Sequence, residues 1–211
     1  MKKARLFPLC LFLFVTTAWA LEPSANAELV LEEDFAETSL AEGWTIQNGT
    51  WVTSNGVLVG TEVAADNHAA SARRALETKD AIYELKFRFS EGSEAFHLGF
   101  DPVPSDLKKK GHLYSVMITD KLWRILKHVD KYHPKKDPSE VLAQERHSLE
   151  PGTWYHLRVT SSGETVTAQI EGVQILEGSH PTFSVRKPTL IFRVRGQGVC
   201  IDDLKVWRMK K

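Results

Sequence analysis

Cysteine is nearly absent from this chain: its 211 residues hold two, Cys10 and Cys200. Cys10 falls within an N-terminal stretch built like an export signal. After cleavage Cys200 therefore has no partner in its own chain, and the fold must stand without the disulfides common in small exported domains. Cys200 sits in an apolar strand pattern and reads as a buried, inert thiol. Net charge is missing as well, with 27 Lys and Arg against 27 Asp and Glu, so the overall basic footprint of a nucleic-acid binder is not there. No apolar run reaches the roughly 20 residues of a membrane-spanning helix, so no stable membrane span is expected in the mature protein. Nor does any segment sustain a 3.6-residue apolar period. A Gly-x-Ser-x-Gly elbow, a Walker loop and a Gly-rich dinucleotide fingerprint are all lacking, which excludes serine-hydrolase, NTPase and dehydrogenase chemistry in their usual forms.

What is present starts at the N-terminus. Lys2, Lys3 and Arg5 form a positive start, Leu6 to Val15 is apolar apart from Pro8, and Ala18-Trp19-Ala20 places small residues where a signal peptidase reads. This three-part plan predicts a secretory signal peptide over residues 1–20. The mature protein is then secreted, periplasmic or held in the cell envelope. Residues 21–27 read as a flexible lead-in, and 28–211 as one domain, long enough for a substantial core.

That domain is written in strands. Along Tyr83-Glu84-Leu85-Lys86-Phe87-Arg88-Phe89 the odd positions are apolar and the even ones charged, so one face meets a core and the other water. Tyr155 to Val159 and Thr165 to Ile170 repeat the pattern, and the polar Ser161-Ser162-Gly163-Glu164 between them predicts a hairpin. Further strands are expected over 28–35, 50–53, 56–60, 68–75, 95–101, 112–119, 122–129, 189–195 and 199–207, with a tight turn at Asn55-Gly56. Residues 130–140, carrying two prolines, form the least regular stretch and read as a long surface loop. The first and last strands are expected to pair. Many short strands with frequent turns give an all-β, two-sheet antiparallel sandwich.

Three groups of residues carry a resemblance. The first is Glu33-Asp34-Phe35, Gly43-Trp44, Gly49-Thr50-Trp51 and Asn55-Gly56-Val57-Leu58. The second is Gly152-Thr153-Trp154-Tyr155-His156-Leu157-Arg158-Val159, with its hairpin and Ile170-Glu171-Gly172-Val173. The third is Ile201-Asp202-Asp203-Leu204-Lys205-Val206-Trp207. Together they resemble the concanavalin A-like lectin/glucanase superfamily, and within it the secreted bacterial 3-keto-disaccharide hydrolase domains, close to laminin-G-like modules. The resemblance implies a concanavalin-like jelly roll and a carbohydrate partner. It implies either hydrolysis of a glycoside such as a 3-keto-disaccharide or, as the alternative, non-catalytic glycan binding of the laminin-G-like kind. Calcium is common in that superfamily, but the sequence assigns no ligands to it.

The candidate site comes from strand phase. With Phe96, Leu98 and Phe100 inward, His97 and Asp101 face outward, as do Glu84 and Arg88 on the preceding strand. If these strands are neighbours, Glu84, Arg88 and His97 share one exposed face. Glu84 is then the candidate acid or base and His97 its proton partner, with Arg88 and Asp101 on the substrate. The stretch from Lys108 to Lys136 is rich in Lys and Arg and interleaved with Tyr114, Trp123 and Tyr132. It suits an anionic polysaccharide, with rings stacking on sugars and cations pairing the anions, and adds His112, Tyr114, Trp123 and Arg124 to the predicted binding residues. The paired-carboxylate strand of laminarinase-type enzymes, Glu-x-Asp-x-x-Glu, is absent. Asp202-Asp203 suits a structural role, inward and hydrogen-bonded or displaced by a bulge. Asp66-x-His68 and His128-x-Asp130-x-x-His133 match no established zinc spacing, and no metal site is predicted. Trp44, Trp51, Trp154 and Trp207 are expected in the core or at its rim.

Overall fold

The computed structural model describes residues 26–210. The expected signal peptide, and all but the end of the lead-in, lie outside them. Fifteen strands follow one another among these residues: β1 (Ala27–Glu33), β2 (Trp44–Asn48), β3 (Thr50–Ser54), β4 (Val57–Thr61), β5 (Ala70–Thr78), β6 (Ala81–Phe89), β7 (Ser93–Phe100), β8 (Tyr114–Ile118), β9 (Leu122–Lys127), β10 (Glu140–Arg146), β11 (Tyr155–Ser162), β12 (Thr165–Ile170), β13 (Leu176–Ser179), β14 (Lys187–Gly196) and β15 (Val199–Met209). They form two sheets. The first runs β13-β12-β11-β6-β15-β4-β3 with β1 also on β15, and the second runs β10-β9-β8-β7-β14-β5-β2. All pairings are antiparallel, and β1 pairs with β15 as expected. No helix among the described residues is long and apolar enough to cross a membrane.

The alternating patterns explain this layering. Tyr83, Leu85 and Phe87 from the first sheet, and Phe96, Leu98, Phe100, Tyr114, Val116, Leu190 and Phe192 from the second, are all at most 2% exposed. They meet between the sheets, with ring contacts from Phe87 to Phe96 and from Tyr83 to Phe100. Asn55 and Gly56 both take positive φ, 53° and 73°, the conformation a two-residue turn needs to match the twist of its strands. Three strands were not anticipated: β2, β10 and β13. Each is the last strand at an edge of its sheet; β2 and β10 bury little on either face, and β13 alternates in burial over only four residues, with a glycine at one of its two inward positions.

One strand changes phase midway. Val199 and Ile201 point inward, so Cys200 and Asp202 point outward on the first sheet. A bulge at Asp202-Asp203, where Asp203 has φ 48° and donates its N–H to Asp202 Oδ1, then shifts the register. Leu204 and Val206 return to the core. The inward alternative for Asp202 is thereby corrected in favour of the bulge, because one extra residue reverses strand phase. Cys200 is buried under the Arg88 side chain, whose Nη2 lies 3.4 Å from its Sγ.

Candidate functional site

Each sheet has one outer face, and the two differ in kind. On the first sheet the outward side chains neutralise one another: Arg158 with Glu84 at 3.1 Å, Lys86 with Asp203 at 2.5 Å, and Lys205 with Glu32 at 2.9 Å. Arg88 lies over the Trp154 ring, 4.7 Å from its centroid. This is a solvated face whose charges are met by three ion pairs and one cation–ring contact.

The expectation that Glu84, Arg88 and His97 share a face fails here. β6 belongs to the first sheet and β7 to the second, so Ser90-Glu91-Gly92 carries the chain across the sandwich rather than around a hairpin within one sheet. Two consecutive strands with correct phase thus present their polar sides to opposite sides of the molecule. Tyr114 and Trp123 are corrected too. Both are 0% exposed and point between the sheets, so they pack the core and do not stack on a ligand.

The outer face of the second sheet gathers the remaining candidates and several residues that strand patterns did not single out. Register sets Arg124, Met117, His97, Arg193 and Ser71 in one row across β9, β8, β7, β14 and β5. The next row is Leu126, Ser115, Gly99, Ile191, Arg73 and Thr45. Although they point away from the core, Ser71, Ala95, Ser115 and Ile191 are at most 3% exposed, so the face is recessed. Gly99 leaves its middle without a side chain.

Beyond Gly99, Asp101 fixes one end. Its Oδ1 accepts a hydrogen bond from His112 Nδ1 at 2.7 Å, and its Oδ2 accepts one from Arg73 Nη1. Burial by itself would raise the Asp101 pKa, but the bonds from His112 and Arg73 outweigh it and hold the carboxyl below its usual value. Arg73, Asp101, Pro102, Lys109, Gly111, His112 and Lys131 line a pocket of about 370 Å3 at this end. A larger one, about 670 Å3, lies at the end of the β9–β10 pair, lined by Lys121, Leu122, Gln144, Glu145 and Arg146.

The wall beside Asp101 is made by two loops tied together. The Asp130 carboxylate accepts from the N–H groups of Lys110 and Tyr132, and Lys109 Nζ donates to His128 O and Asp137 Oδ2. The irregular stretch 130–140 is therefore an ordered turn with an internal ion network, completed by the buried Lys127 against Asp137 and Glu140. His128 leaves this loop to stand 2.9 Å from Ser115 Oγ, its ring 5.4 Å from that of His112. Among the described residues no three His, Cys, Asp or Glu side chains converge to hold a metal ion.

The electrostatics of the face are lopsided. Burial, reinforced by Arg193, lowers the His97 pKa to about 3. Burial and the neighbouring His112 and Arg193 take His128 to about 3 as well. Both imidazoles are thus neutral at pH 7. His97 Nδ1 and the Nε atoms of Arg73 and Arg193 are buried without a hydrogen-bond partner among the described residues. A buried polar atom without a partner is costly in a finished fold, and here three of them belong to adjacent rows of one face. Chemically the arrangement donates: it offers guanidinium N–H groups and a positioned His–Asp pair. A second carboxyl group facing Asp101, as hydrolysis by two acids requires, is not among the outward positions of β7, β8, β9 and β14.

Of the eight residues expected at the site, His97, Asp101, His112 and Arg124 share this side of the molecule, while Glu84, Arg88, Tyr114 and Trp123 do not. Arg73, Arg193 and Ser115 were missed. Their outward phase was legible within the strands at 68–75, 189–195 and 112–119, but only sheet order shows that they neighbour β7.

No protein-family model matches the chain, and no curated protein matches it. Solved structures do. The carbohydrate-binding module CBM66 from Bacillus subtilis is 18% identical, with 79% of this chain and 92% of that one covered and a TM-score of 0.53. A protein described as a putative glycosyl hydrolase from Parabacteroides distasonis is 15% identical, covering 80% and 89%, with a TM-score of 0.54. The non-specific endo-β-1,3(4)-glucanase SCLam of family GH16 is 10% identical, covering 88% and 92%, with a TM-score of 0.64. At such identities the likeness is one of fold, and the fold is the two-sheet jelly-roll sandwich.

Proposed function

We propose that this protein is an exported carbohydrate-binding domain that holds a glycan against the recessed outer face of its second sheet. The observation that carries this reading is the row of Arg193, His97 and Arg124 beside the open floor at Gly99, with Arg193 Nε, Arg73 Nε and His97 Nδ1 lacking hydrogen-bond partners among the described residues. Sugars offer acceptor oxygens on every edge, and donors already held in place bind them without a reorganisation cost. The named functions of the fold neighbours, a carbohydrate-binding module and a glucanase, support a carbohydrate partner. The signal-like N-terminus supports delivery to the envelope or beyond. Affinity electrophoresis of the purified protein through gels containing soluble polysaccharides tests it. Retardation that is lost in Arg193→Gln and kept in Arg88→Gln supports this face; retardation lost only in Arg88→Gln moves the site to the first sheet.

A second reading, hydrolysis of a glycoside such as a 3-keto-disaccharide, draws on one feature, the His112–Asp101 pair in its pocket. A carboxylate that orients an imidazole is a recurrent proton-transfer arrangement. Sugar release from 3-keto-glycosides that vanishes in His112→Ala supports it, whereas no turnover with or without added divalent metal leaves the binding domain.

A further inference from the structure

Counter-ions are distributed unevenly over this molecule. On the outer face of the first sheet, Arg158, Lys86 and Lys205 each have a carboxylate, and Arg88 alone of the basic residues named there lies instead over the Trp154 ring and beside Cys200 Sγ. On the outer face of the second, Arg124, Arg193 and Arg195 have none among the described residues. The nearby carboxylate, Asp101, is engaged by Arg73 and His112. Arg124 is satisfied only by the Met117 sulfur, at 3.2 Å from Nε and 3.0 Å from Nη2. A thioether is a weak acceptor for a guanidinium.

These cations are also close and partly withdrawn from water. Arg193 and Arg124 stand in one row with His97 and Met117 between them, three strand spacings apart or about 14 Å between backbones. Arg195 follows on the same side of β14, opposite Ala95, and Arg73 stands opposite Ile191 on the other side of Arg193. Burial, then repulsion from Arg195 and Arg73, lowers the Arg193 pKa. Like charges held together in a recess, with buried Nε–H groups that reach no acceptor, leave a vacancy of one charge sign. A neutral sugar fills its hydrogen bonds but not its charge. A carboxylate or sulfate fills both, because its oxygens match the guanidinium fork.

We infer that the glycan held by this face is acidic, and that the carboxylate or sulfate group of a uronic or sulfated sugar seats against Arg193, with Arg124 and Arg73 to either side. This rests on the carbohydrate-binding reading given above and specifies its ligand class. The charge is local rather than global: the chain carries equal numbers of acidic and basic residues, so attraction at long range is weak and selectivity resides in this recess.

The test compares matched polymers by titration calorimetry at fixed ionic strength. Polygalacturonate is set against the same polymer with its carboxyls methyl-esterified, and dextran sulfate against dextran, with single-stranded DNA as a polyanion that is not a glycan. The expected result is binding at least tenfold tighter to one acidic member than to its neutral counterpart and to DNA. The pair that shows it tells carboxylate from sulfate. Arg193→Gln should abolish that preference, and Arg124→Gln gives the same readout should Arg193→Gln fold poorly by circular dichroism. Lys136→Gln, an exposed charge on the neighbouring loop, should change affinity less than twofold. Equal affinity for acidic and neutral members overturns the inference while leaving the glycan-binding reading in place. Binding to none of the four polysaccharides overturns both. DNA held as tightly as the acidic glycans, with Lys136→Gln as damaging as Arg193→Gln, reduces the attraction to unspecific charge and overturns the inference.

Discussion

Arg193 stands directly across the β7–β14 ladder from His97, and among the described residues no carboxylate pairs with either side chain. The pairing places a fixed positive charge beside an imidazole in a recess that burial has already made hostile to a second one. The imidazole is neutral as a result. The same neighbourhood that keeps His97 neutral leaves Arg193 without an anion, so one geometric fact shapes both the proton chemistry and the ligand preference of the face.

Acid should unfold this protein by way of its histidines. The His97 and His128 pKa values fall from about 6.5 in the unfolded chain to about 3 in the folded one. The unfolded state therefore binds more protons below pH 6.5, and stability present above that value is lost progressively as pH drops toward 3. The depressed Asp101 carboxyl adds a loss of the same sign at lower pH. Melting temperature followed from pH 7.5 to 3.5 should fall, and the fall should be shallower in the double variant His97→Gln, His128→Gln. An unchanged slope would show that these imidazoles are already protonated in the fold.

Asp101 is the anchor of its end of the site. Asp101→Asn removes the charge that Arg73 and His112 share, and leaves a further half-buried guanidinium without an anion. The expected cost is about 1–3 kcal/mol of stability, read from urea unfolding with an unchanged denaturant dependence. His112→Asn, which removes one of the two donors, should cost less.

Gly99 can be filled in stages. Its φ is outside the left-handed region, and a Cβ there meets Ser115 Cβ at 3.6 Å, an ordinary contact. Gly99→Ala should therefore be tolerated, with stability changed by no more than about 1 kcal/mol. Gly99→Leu occupies the floor between Ser115 and Ile191, and should weaken glycan retention at least tenfold while the far-ultraviolet spectrum is kept. Full retention in Gly99→Leu would place the ligand elsewhere.

Trp123 should behave as core. Truncation to alanine opens a large cavity between the sheets and is expected to cost about 3–5 kcal/mol, whereas Trp123→Phe should retain glycan binding within twofold. Glu84→Gln breaks a partly exposed ion pair with Arg158. It should cost under about 1 kcal/mol and leave binding unchanged. A tenfold loss in either Trp123→Phe or Glu84→Gln would restore those residues to the site.

Much of this architecture can be read along the chain, because alternation is a local property. Each strand with one face in the core writes that face into every second residue, so β6, β7, β11 and β12 are visible in the letters, as are the turn at Asn55-Gly56 and the outward phase of His97 and Asp101. The same logic explains what stays invisible. The edge strands β2 and β10 bury too little on one side to alternate, and β13, which does alternate in burial, is four residues long with Gly178 at its second inward position, so its letters carry no apolar pattern. The bulge at Asp202-Asp203 reverses phase within a strand by a backbone conformation that two aspartates do not announce.

Phase says which side of a strand is polar, but not which sheet the strand joins. Glu84 and His97, thirteen residues apart with matching phase, were separated by the chain crossing between layers after Phe89. Arg73, His97, Arg124 and Arg193, spread over 121 positions, were brought side by side by pairings among β5, β14, β7, β8 and β9. β8 and β9 form a local hairpin, but the β5–β14 and β14–β7 pairings join segments about a hundred positions apart, and the whole buried core, rather than any local segment, decides which sheet order packs. Strand content is thus carried by local alternation, while the composition of the site follows from the order in which the sheets assemble.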